Sequence, residues 1–508
     1  MTALSRTKHS LKNTVIGLVT FIITQLVSFF SRTVFIKLLG EQFLGINGLY
    51  ANILSLLSLA DLGITSAFTF SLYKPIAQND NIKLATLLTF FRKLYLLIAL
   101  IVFIVGISLI PFLKFVVKNS SIDYNDLQFY FFLSVVNVAC SYLAVYKSTI
   151  FKADQKIYVV NIINSIINFL MYALQIIVLL LSRNYVFYLF VNIICTLLNN
   201  IILTILANKV YKEVFQNNSA KLDSADKEEI KKNFASLFVY RLSAAIINST
   251  DNIIISVMLG TVVVGYYSNY SMIISTIVAS IGVITNALLG SIGNLGTENN
   301  GRRQCEIFHC LMLLYQFVAA FTSACFICVF NQFIIIWLND SQYLLSQRDV
   351  IMIVVSFYIT CISNPIWMFR ESLGLFKKAQ YIMAVAALIN IVISIVFGYF
   401  LGVGGIILAT GISKLLSLFW YEPRYLYRDA FEMPYLLYWK HVCYYTFQSI
   451  AVIVLSVVIN STIANGTLFN IILQIAICFI ISLIVFCLMN IKTREGKFLL
   501  SKLRQSRR

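Results

Sequence analysis

The sequence predicts an all-α membrane protein that crosses the bilayer about fourteen times and consists of two related halves. Hydrophobic residues make up 59% of the 508 residues and charged residues only 12%, about half the share of charge in a typical soluble protein. Continuous apolar stretches of about 20 residues, long enough to span a bilayer, recur along the whole chain. Because these stretches do not alternate with polar residues, the spans are predicted to be helices rather than strands of a barrel.

One segment occurs twice and indicates the two halves. Residues 32–50 read RTVFIKLLGEQFLGINGLY, and residues 252–270 read NIIISVMLGTVVVGYYSNY. Each copy has Leu-Gly at the end of an apolar run, a second glycine five residues later and a tyrosine five residues after that. The matching residues are Gly40, Gly45 and Tyr50 in the first copy and Gly260, Gly265 and Tyr270 in the second. Membrane proteins with two related halves are typically transporters with the substrate path between the halves.

Each apolar stretch is assigned to one helix. The predicted helices are 13–38, 43–73, 87–117, 127–149, 156–181, 186–208, 233–259, 262–292, 308–333, 348–370, 378–401, 404–422, 440–463 and 468–492. The turns after the first, seventh and eleventh helices are very short and contain glycine, as tight turns need residues that tolerate positive φ. The longest polar stretch, 209–232, lies between the two copies of the repeat and is predicted to be a linker.

The distribution of basic residues predicts the orientation. Most of the 39 Lys and Arg residues fall in alternate loops and in the two tails, so both termini are expected in the cytoplasm. The net charge of +18 then reflects membrane topology rather than nucleic-acid binding. The basic C-terminal tail is expected to lie against anionic headgroups.

Three basic residues within or near the membrane are candidates for binding an anion. A charge in a membrane helix costs about 2.5–3.5 kcal/mol on insertion scales, so each such residue is a candidate for a functional role. Arg32 and Lys414 lie well inside predicted helices, and Arg241 lies near a cytoplasmic end. Each could bind an anionic headgroup; Arg32 and Arg241 could instead extend to the interface, and Lys414 could serve lobe packing. For Lys37, close to the outer interface, extension to the interface is the simpler explanation.

Two acidic residues lie at depth in the helices. Asp61 follows LSLA in the second helix, and Asp251 lies in the polar cluster NSTDN of the seventh. Both are candidates for coupling to a proton or cation or for a gate. Asp61 could instead satisfy backbone groups near Gly63, which would be a structural role.

A polar stripe lies on the fifth helix. Asn161, Asn164 and Asn168 share one face, and Tyr172 and Gln175 continue it. Such a stripe must face protein or water rather than lipid. It could form hydrogen bonds between helices or provide a wall that contacts sugar.

Other chemistries are not indicated. No P-loop is present, and most of the ten cysteines lie within apolar runs, including the pair Cys325 and Cys328. The three histidines, His9, His309 and His441, lie near predicted helix ends and suggest no metal site. The sequence therefore predicts neither an enzyme nor a cofactor or metal.

The chain resembles the Wzx-type oligosaccharide flippases of the multidrug/oligosaccharidyl-lipid/polysaccharide (MOP) superfamily, which includes the MATE transporters. The resemblance rests on fourteen helices, the repeat, and the segments LGEQFLGINGLY (39–50) and LADLGITSAF (59–68). It implies a six-helix lobe at 1–208, the linker 209–232 and a second lobe at 233–428 around a central cavity. Two further helices and a cytoplasmic tail follow at 429–508.

The resemblance also implies a function and roles for the candidate residues. The expected activity is transfer of an undecaprenyl-diphosphate-linked oligosaccharide across a bacterial cytoplasmic membrane for surface polysaccharide synthesis, with a polysaccharide polymerase as a possible partner. Arg32 and Lys414 would hold the diphosphate, and Asp61 and Asp251 would couple transport to protons or sodium ions. Arg32 and Asp251 could also pair when the outer gate closes. A MATE-like drug/cation antiporter, and a membrane enzyme or scaffold of polysaccharide assembly, are the alternatives.

Overall fold

The computed structural model describes residues 3–58, 64–216, 238–296, 300–464 and 466–506. All regular secondary structure within these ranges is helical. Twelve of the described helices are long and apolar enough to cross a membrane. The predicted all-α polytopic class is therefore confirmed.

Glycines with positive φ break the helices where the sequence predicts short turns. Gly40 (φ 84°) interrupts the span Val19–Leu57, and Gly402 (φ 70°) interrupts Ala379–Phe431. Gly260 (φ 103°) ends a third helix. Side chains with a Cβ rarely adopt this conformation, so glycine is needed at each break. With each interrupted span counted as two, the twelve described spans give fourteen segments. The predicted helix 43–73 differs, because α1 ends at Leu57 and α2 begins at Ile64.

The chain divides into two compact units, of which the first is Met1–Ser268. Its core lies where α2, α3 and α6 pack, and the rings of Phe68 and Phe91 stack there with centroids 3.5 Å apart. Its helices are α1 (Ala3–Leu57), α2 (Ile64–Gln78), α3 (Asn81–Leu109), α4 (Leu113–Val116), α5 (Tyr124–Ser141), α6 (Val145–Ala153), α7 (Ile157–Ser182), α8 (Tyr185–Val210), α9 (Lys212–Gln216), α10 (238–249), α11 (Asp251–Leu259) and the start of α12 (Thr261–Gly296).

The second unit is Asn269–Arg508. Phe308 forms an edge-to-face contact with Phe369 in its core, and Phe431 packs against both rings. Its helices are the rest of α12, α13 (Gly301–Leu338), α14 (Gln347–Ile362), α15 (Asn364–Ser372), α16 (Phe376–Leu416), α17 (Leu418–Tyr425), α18 (Leu436–Asn460), α19 (Leu468–Asn490) and α20 (Arg494–Ser506).

The predicted domain boundaries remain a prediction. The segment 238–268 packs within the first unit, although the repeat places it at the start of the second lobe. Most of the predicted linker 209–232 lies outside the described residues. Its first residues belong to the end of α8 and to α9.

Candidate functional site

Arg32 lies in α1 and is held by a hydroxyl group from α12. Its Nη2 donates a hydrogen bond to Ser268 Oγ at 2.7 Å, and Ser268 donates to the Gly265 carbonyl at 2.9 Å. The side chain of Arg32 is half-buried, whereas Lys37 on the same helix is exposed. A hydroxyl positions a guanidinium without neutralising its charge. This contact is therefore compatible with anion binding by Arg32.

A chain of neutral polar side chains begins beside Arg32. Ser31 Oγ donates to Gln175 Oε1 at 3.3 Å, and Gln175 Nε2 donates to Asn192 Oδ1. Gln175 is only 1% exposed in the middle of α7. The network links α1, α7 and α8, so the far end of the predicted polar stripe serves hydrogen bonding between helices.

The asparagines of the predicted stripe lie on α7, a helix that packs against α1. All three, Asn161, Asn164 and Asn168, are half-buried. A Cβ built on Gly17 of α1 would lie 3.9 Å from Asn161 Nδ2, so this end of the stripe faces a glycine of α1. A contact of these asparagines with sugar remains a prediction.

A neutral polar cavity of about 320 Å³ lies between α1, α5 and α8. Among the described residues that line it, none is charged. Asn47 Oδ1 accepts from Tyr185 at 3.2 Å, and Asn137 Oδ1 accepts from Thr196 at 2.8 Å. Amides and hydroxyls both donate and accept hydrogen bonds, as sugar hydroxyls do. The polar lining residues are Asn47, Tyr50, Ser55, Ser58, Ser134, Asn137 and Asn192.

The sequence analysis did not single out this cavity. The polar lining includes asparagines that lie inside apolar runs of the sequence: Asn47, Asn137 and Asn192. A polar side chain in a membrane helix is expected to face protein or water rather than lipid. The sequence does not show that the three helices carrying these residues pack around one cavity. The fold supplies that information.

The two copies of the repeated segment contact each other through their second glycines. A Cβ on Gly45 would lie 2.0 Å from the carbonyl oxygen of Thr261, and a Cβ on Gly265 would lie 2.5 Å from that of Glu41. Each built Cβ also lies 3.3 Å from the backbone nitrogen of the other glycine. The backbones of α1 and α12 thus approach so closely that only glycine fits at either position.

Hydrogen bonds join the α11–α12 junction to the segment 116–118 within the first unit. Ser256 Oγ donates to the Val116 carbonyl at 2.7 Å, and the Thr261 amide donates to the Lys118 carbonyl at 3.0 Å. Asp251 is the first residue of α11 and is half-buried. Its predicted gate pairing with Arg32 and its coupling role remain predictions.

The other predicted site residues are Lys414, Arg241 and Asp61. Lys414 is in the second unit, where its Nζ donates to Thr360 Oγ1 at 2.9 Å. Arg241 is half-buried in α10, and its Nε has no hydrogen-bond partner in the part of the chain that the structure describes. Asp61 lies outside the described residues.

A basic cavity of about 520 Å³ lies in the first unit between α3, α6, α8 and α9. Arg92, Lys147 and Lys212 contribute to its lining. Lys147 is only 4% exposed and donates to Asn208 Oδ1 at 2.5 Å. Its Nζ lies 3.1 Å from the centre of the Phe215 ring, a cation–π contact. The sequence alone does not single out Lys147, because the residues that contact it, Asn208 and Phe215, lie about 60 residues further along the chain.

The second unit contains a buried ion pair that the sequence alone does not reveal. Arg370 on α15 and Glu422 on α17 form it, and their side chains are 2% and 4% exposed. A buried charge persists only when it is paired and hydrogen-bonded. Glu422 stands out in the sequence as a glutamate at the end of an apolar run. The sequence does not indicate that Arg370 is its partner.

At the level of sequence, neither a protein-family model nor a curated protein matches the chain. Among solved structures, the lipid II flippase MurJ in an inward closed conformation superposes with a TM-score of 0.68 at 16% identity, over 94% of this chain and 98% of that one. An inward-facing multidrug resistance MATE family transporter of the MOP superfamily gives 0.66 at 13% identity, over 82% and 99%.

A third match is VcmN, a MATE transporter of Vibrio cholerae, with a TM-score of 0.57 at 14% identity over 84% of this chain and 99% of that one. At these identities the matches establish the fold. The chain therefore has the fold of MurJ and of the MATE transporters, and the predicted MATE-like fold is confirmed.

Proposed function

We propose that this protein transfers an undecaprenyl-diphosphate-linked oligosaccharide from the inner to the outer leaflet of a bacterial cytoplasmic membrane, for surface polysaccharide synthesis. The fold supports it, since it is shared with a protein named as a lipid II flippase over 94% of this chain. Transport proceeds by alternating access, with the sugar-diphosphate head in a hydrated path and the polyprenyl tail in lipid.

The observation that carries the proposal is Arg32 beside a neutral polar network. A diphosphate moved out of water must meet cations, because an unpaired buried charge is prohibitively costly. Arg32 is held by the Ser268 hydroxyl, and the adjacent Ser31–Gln175–Asn192 chain leads to the cavity that Asn192 lines. The guanidinium suits a diphosphate, and the amides and hydroxyls suit sugar.

The lining of the cavity argues against the drug antiporter. A site for cationic drugs needs a carboxylate or an aromatic cage to hold the cation. The described lining residues of the 320 Å³ cavity are neutral, and Tyr50 is their only aromatic residue. If Asp251 couples transport to a proton or sodium gradient, its replacement by Asn should slow transport without preventing substrate binding.

The test is transfer of a fluorescent undecaprenyl-diphosphate oligosaccharide in proteoliposomes, measured by protection of the lipid from an external quencher. Arg32→Ala should slow transfer by about 10- to 100-fold, since hydrogen bonds to charged groups are worth about 1.5–3 kcal/mol. Lys414→Ala is expected to act in the same direction. Lys37→Ala is the matched control, since it removes an exposed cation from the same helix.

Three outcomes contradict parts of the proposal. Normal transfer by both Arg32→Ala and Lys414→Ala would remove the diphosphate role of these cations. Dye efflux without lipid transfer by the unaltered protein would favour the antiporter. Sugar transfer, or neither activity in proteoliposomes, would favour an enzyme or a scaffold of polysaccharide assembly.

A further inference from the structure

Two of the three histidines of the chain meet in the second unit. His309 is on α13 and His441 is on α18, and their rings stack with centroids 3.8 Å apart and planes inclined by 21°. Glu495, the second residue of the C-terminal helix α20, lies against both rings. Its Oε1 is 3.2 Å from His441 Nε2 and 3.8 Å from His309 Nδ1. The potential ligand atoms of the three residues all lie within 4.8 Å of one another.

We propose that His309, His441 and Glu495 form a binding site for a Zn²⁺-type transition-metal cation, which fastens α20 to α13 and α18. Two imidazoles and one carboxylate are a common set of zinc ligands, and they leave a fourth position for water. Bonds of 2.0–2.1 Å in a tetrahedral site place ligand atoms about 3.3 Å apart. The 3.2 Å distance already fits this geometry, and the 3.8 Å distance needs a contraction of about 0.5 Å. The two imidazole nitrogens lie within 4.8 Å of each other, and the stacked rings must turn so that both lone pairs point at the ion.

The second ring nitrogen of each histidine already has a partner. His441 Nδ1 lies 2.8 Å from the Leu437 carbonyl oxygen, which can only accept, so this nitrogen carries a proton. His309 Nε2 lies 2.5 Å from the Tyr427 hydroxyl. Histidine ligands of metals are usually oriented in this way by a partner on the other nitrogen. The nitrogens that remain, Nε2 of His441 and Nδ1 of His309, are those that face Glu495.

The surroundings provide two further observations. The hydroxyl of Tyr445, one helical turn after His441, is buried and has no hydrogen-bond partner among the described residues. The rings of these two residues are 5.7 Å apart, so a water on the metal could reach this hydroxyl. The side chain of Glu495 is only 13% exposed, so little water competes with the two rings for its carboxylate.

The alternative is a hydrogen-bonded cluster without metal, in which a protonated His441 bonds Glu495 and the Leu437 carbonyl together. The two arrangements differ in one respect. A metal ion takes the lone pair of His441 Nε2, whereas the hydrogen-bonded cluster needs a proton on that nitrogen. Only the first arrangement binds one metal ion per chain.

The experiment uses the full-length protein, purified in detergent without a polyhistidine tag and freed of metal by a chelator. Titration with Zn²⁺ is followed by calorimetry and titration with Co²⁺ by its visible absorption. One equivalent per chain is expected, with the strong visible bands of four-coordinate Co²⁺. Glu495→Gln should weaken binding by at least about 100-fold, since loss of partners outside the ligand shell alone costs 10- to 100-fold.

The matched control is Glu306→Gln, which makes the same change at an exposed carboxylate of α13. His441→Gln should also abolish binding, and its thermal unfolding shows whether it is folded. Glu495 lies on the last helix, where a substitution disturbs the fold less than one at His441. Glu495→Gln therefore still tests the proposal if His441→Gln does not fold. Equal affinity in Glu495→Gln and Glu306→Gln, or no stoichiometric binding by the unaltered protein, would overturn the proposal.

Limited proteolysis tests the fastening of α20 separately. Lys497 is exposed on α20, two residues after Glu495, and trypsin can report on its accessibility. Zn²⁺ should slow cleavage at Lys497 by about tenfold or more in the unaltered protein and should leave cleavage of Glu495→Gln unchanged. Equal protection of both proteins by Zn²⁺ would show that the metal acts elsewhere.

Discussion

Replacement of Gly45 by alanine should separate the two copies of the repeated segment. The new Cβ would lie 2.0 Å from the Thr261 carbonyl oxygen, and an ordinary contact begins at 3.4 Å. The backbones must therefore move apart by about 1.4 Å, the difference between these distances. Overpacking of this kind costs about 1–3 kcal/mol, which is about 5- to 150-fold in the population of the state that holds the contact.

A matched control separates this clash from the general effect of alanine. Alanine favours a helix over glycine by about 1 kcal/mol, so part of the cost at Gly45 is offset. Gly282 lies on α12, and a Cβ built there meets nothing within 4 Å. Gly282→Ala therefore gains the helix propensity without the clash. The difference between the two variants gives the cost of the clash alone.

The assay is a disulfide between cysteines placed at Ser55 on α1 and Ser249 on α10, whose Oγ atoms are 3.1 Å apart. Cross-linked peptides are quantified by mass spectrometry, so the native cysteines can stay in place. Gly45→Ala should reduce the yield of this disulfide and lower the Tm relative to Gly282→Ala. Equal yields and equal Tm values in the two variants would refute the inference that the glycines permit a necessary close approach.

Two further predictions concern buried polar contacts. Glu422→Gln should destabilise the second unit by about 3–5 kcal/mol, because it removes the carboxylate that pairs with the buried guanidinium of Arg370. A Tm that matches the unaltered protein, in a purified sample, would contradict this. Gln175→Ala should cost about 1–3 kcal/mol, because Ser31 and Asn192 lose their shared partner. Gln175→Met keeps the approximate size without the amide, so it separates lost hydrogen bonding from lost volume. A Tm unchanged by both substitutions would refute the role of the network.

The sequence predicted the features that depend on local chemistry. The helix breaks at Gly40, Gly260 and Gly402 follow from the need for positive φ after an apolar run. The fold class follows from the length and composition of these runs. Both kinds of information are contained in short stretches of sequence, so no knowledge of distant contacts is needed to interpret them.

The sequence could not predict which polar residues meet. Nothing in the sequence pairs Arg370 with Glu422, or brings His309, His441 and Glu495 together, because the members of each group lie on different helices. Arg32 illustrates the intermediate case. Its depth identified it as a candidate, but its contact with Ser268 depends on how α12 packs against α1.

The contact between the repeated segments is reciprocal. Gly45 meets Thr261 and Gly265 meets Glu41, and each of these pairs becomes the other when the two copies of the segment are exchanged. Interfaces of this isologous type arise when two identical chains associate about a two-fold axis. This glycine contact is therefore of the kind that two copies of one ancestral half would form in a homodimer. Gene duplication and fusion can preserve such a contact, while charges such as Arg32 are free to diverge in one copy alone.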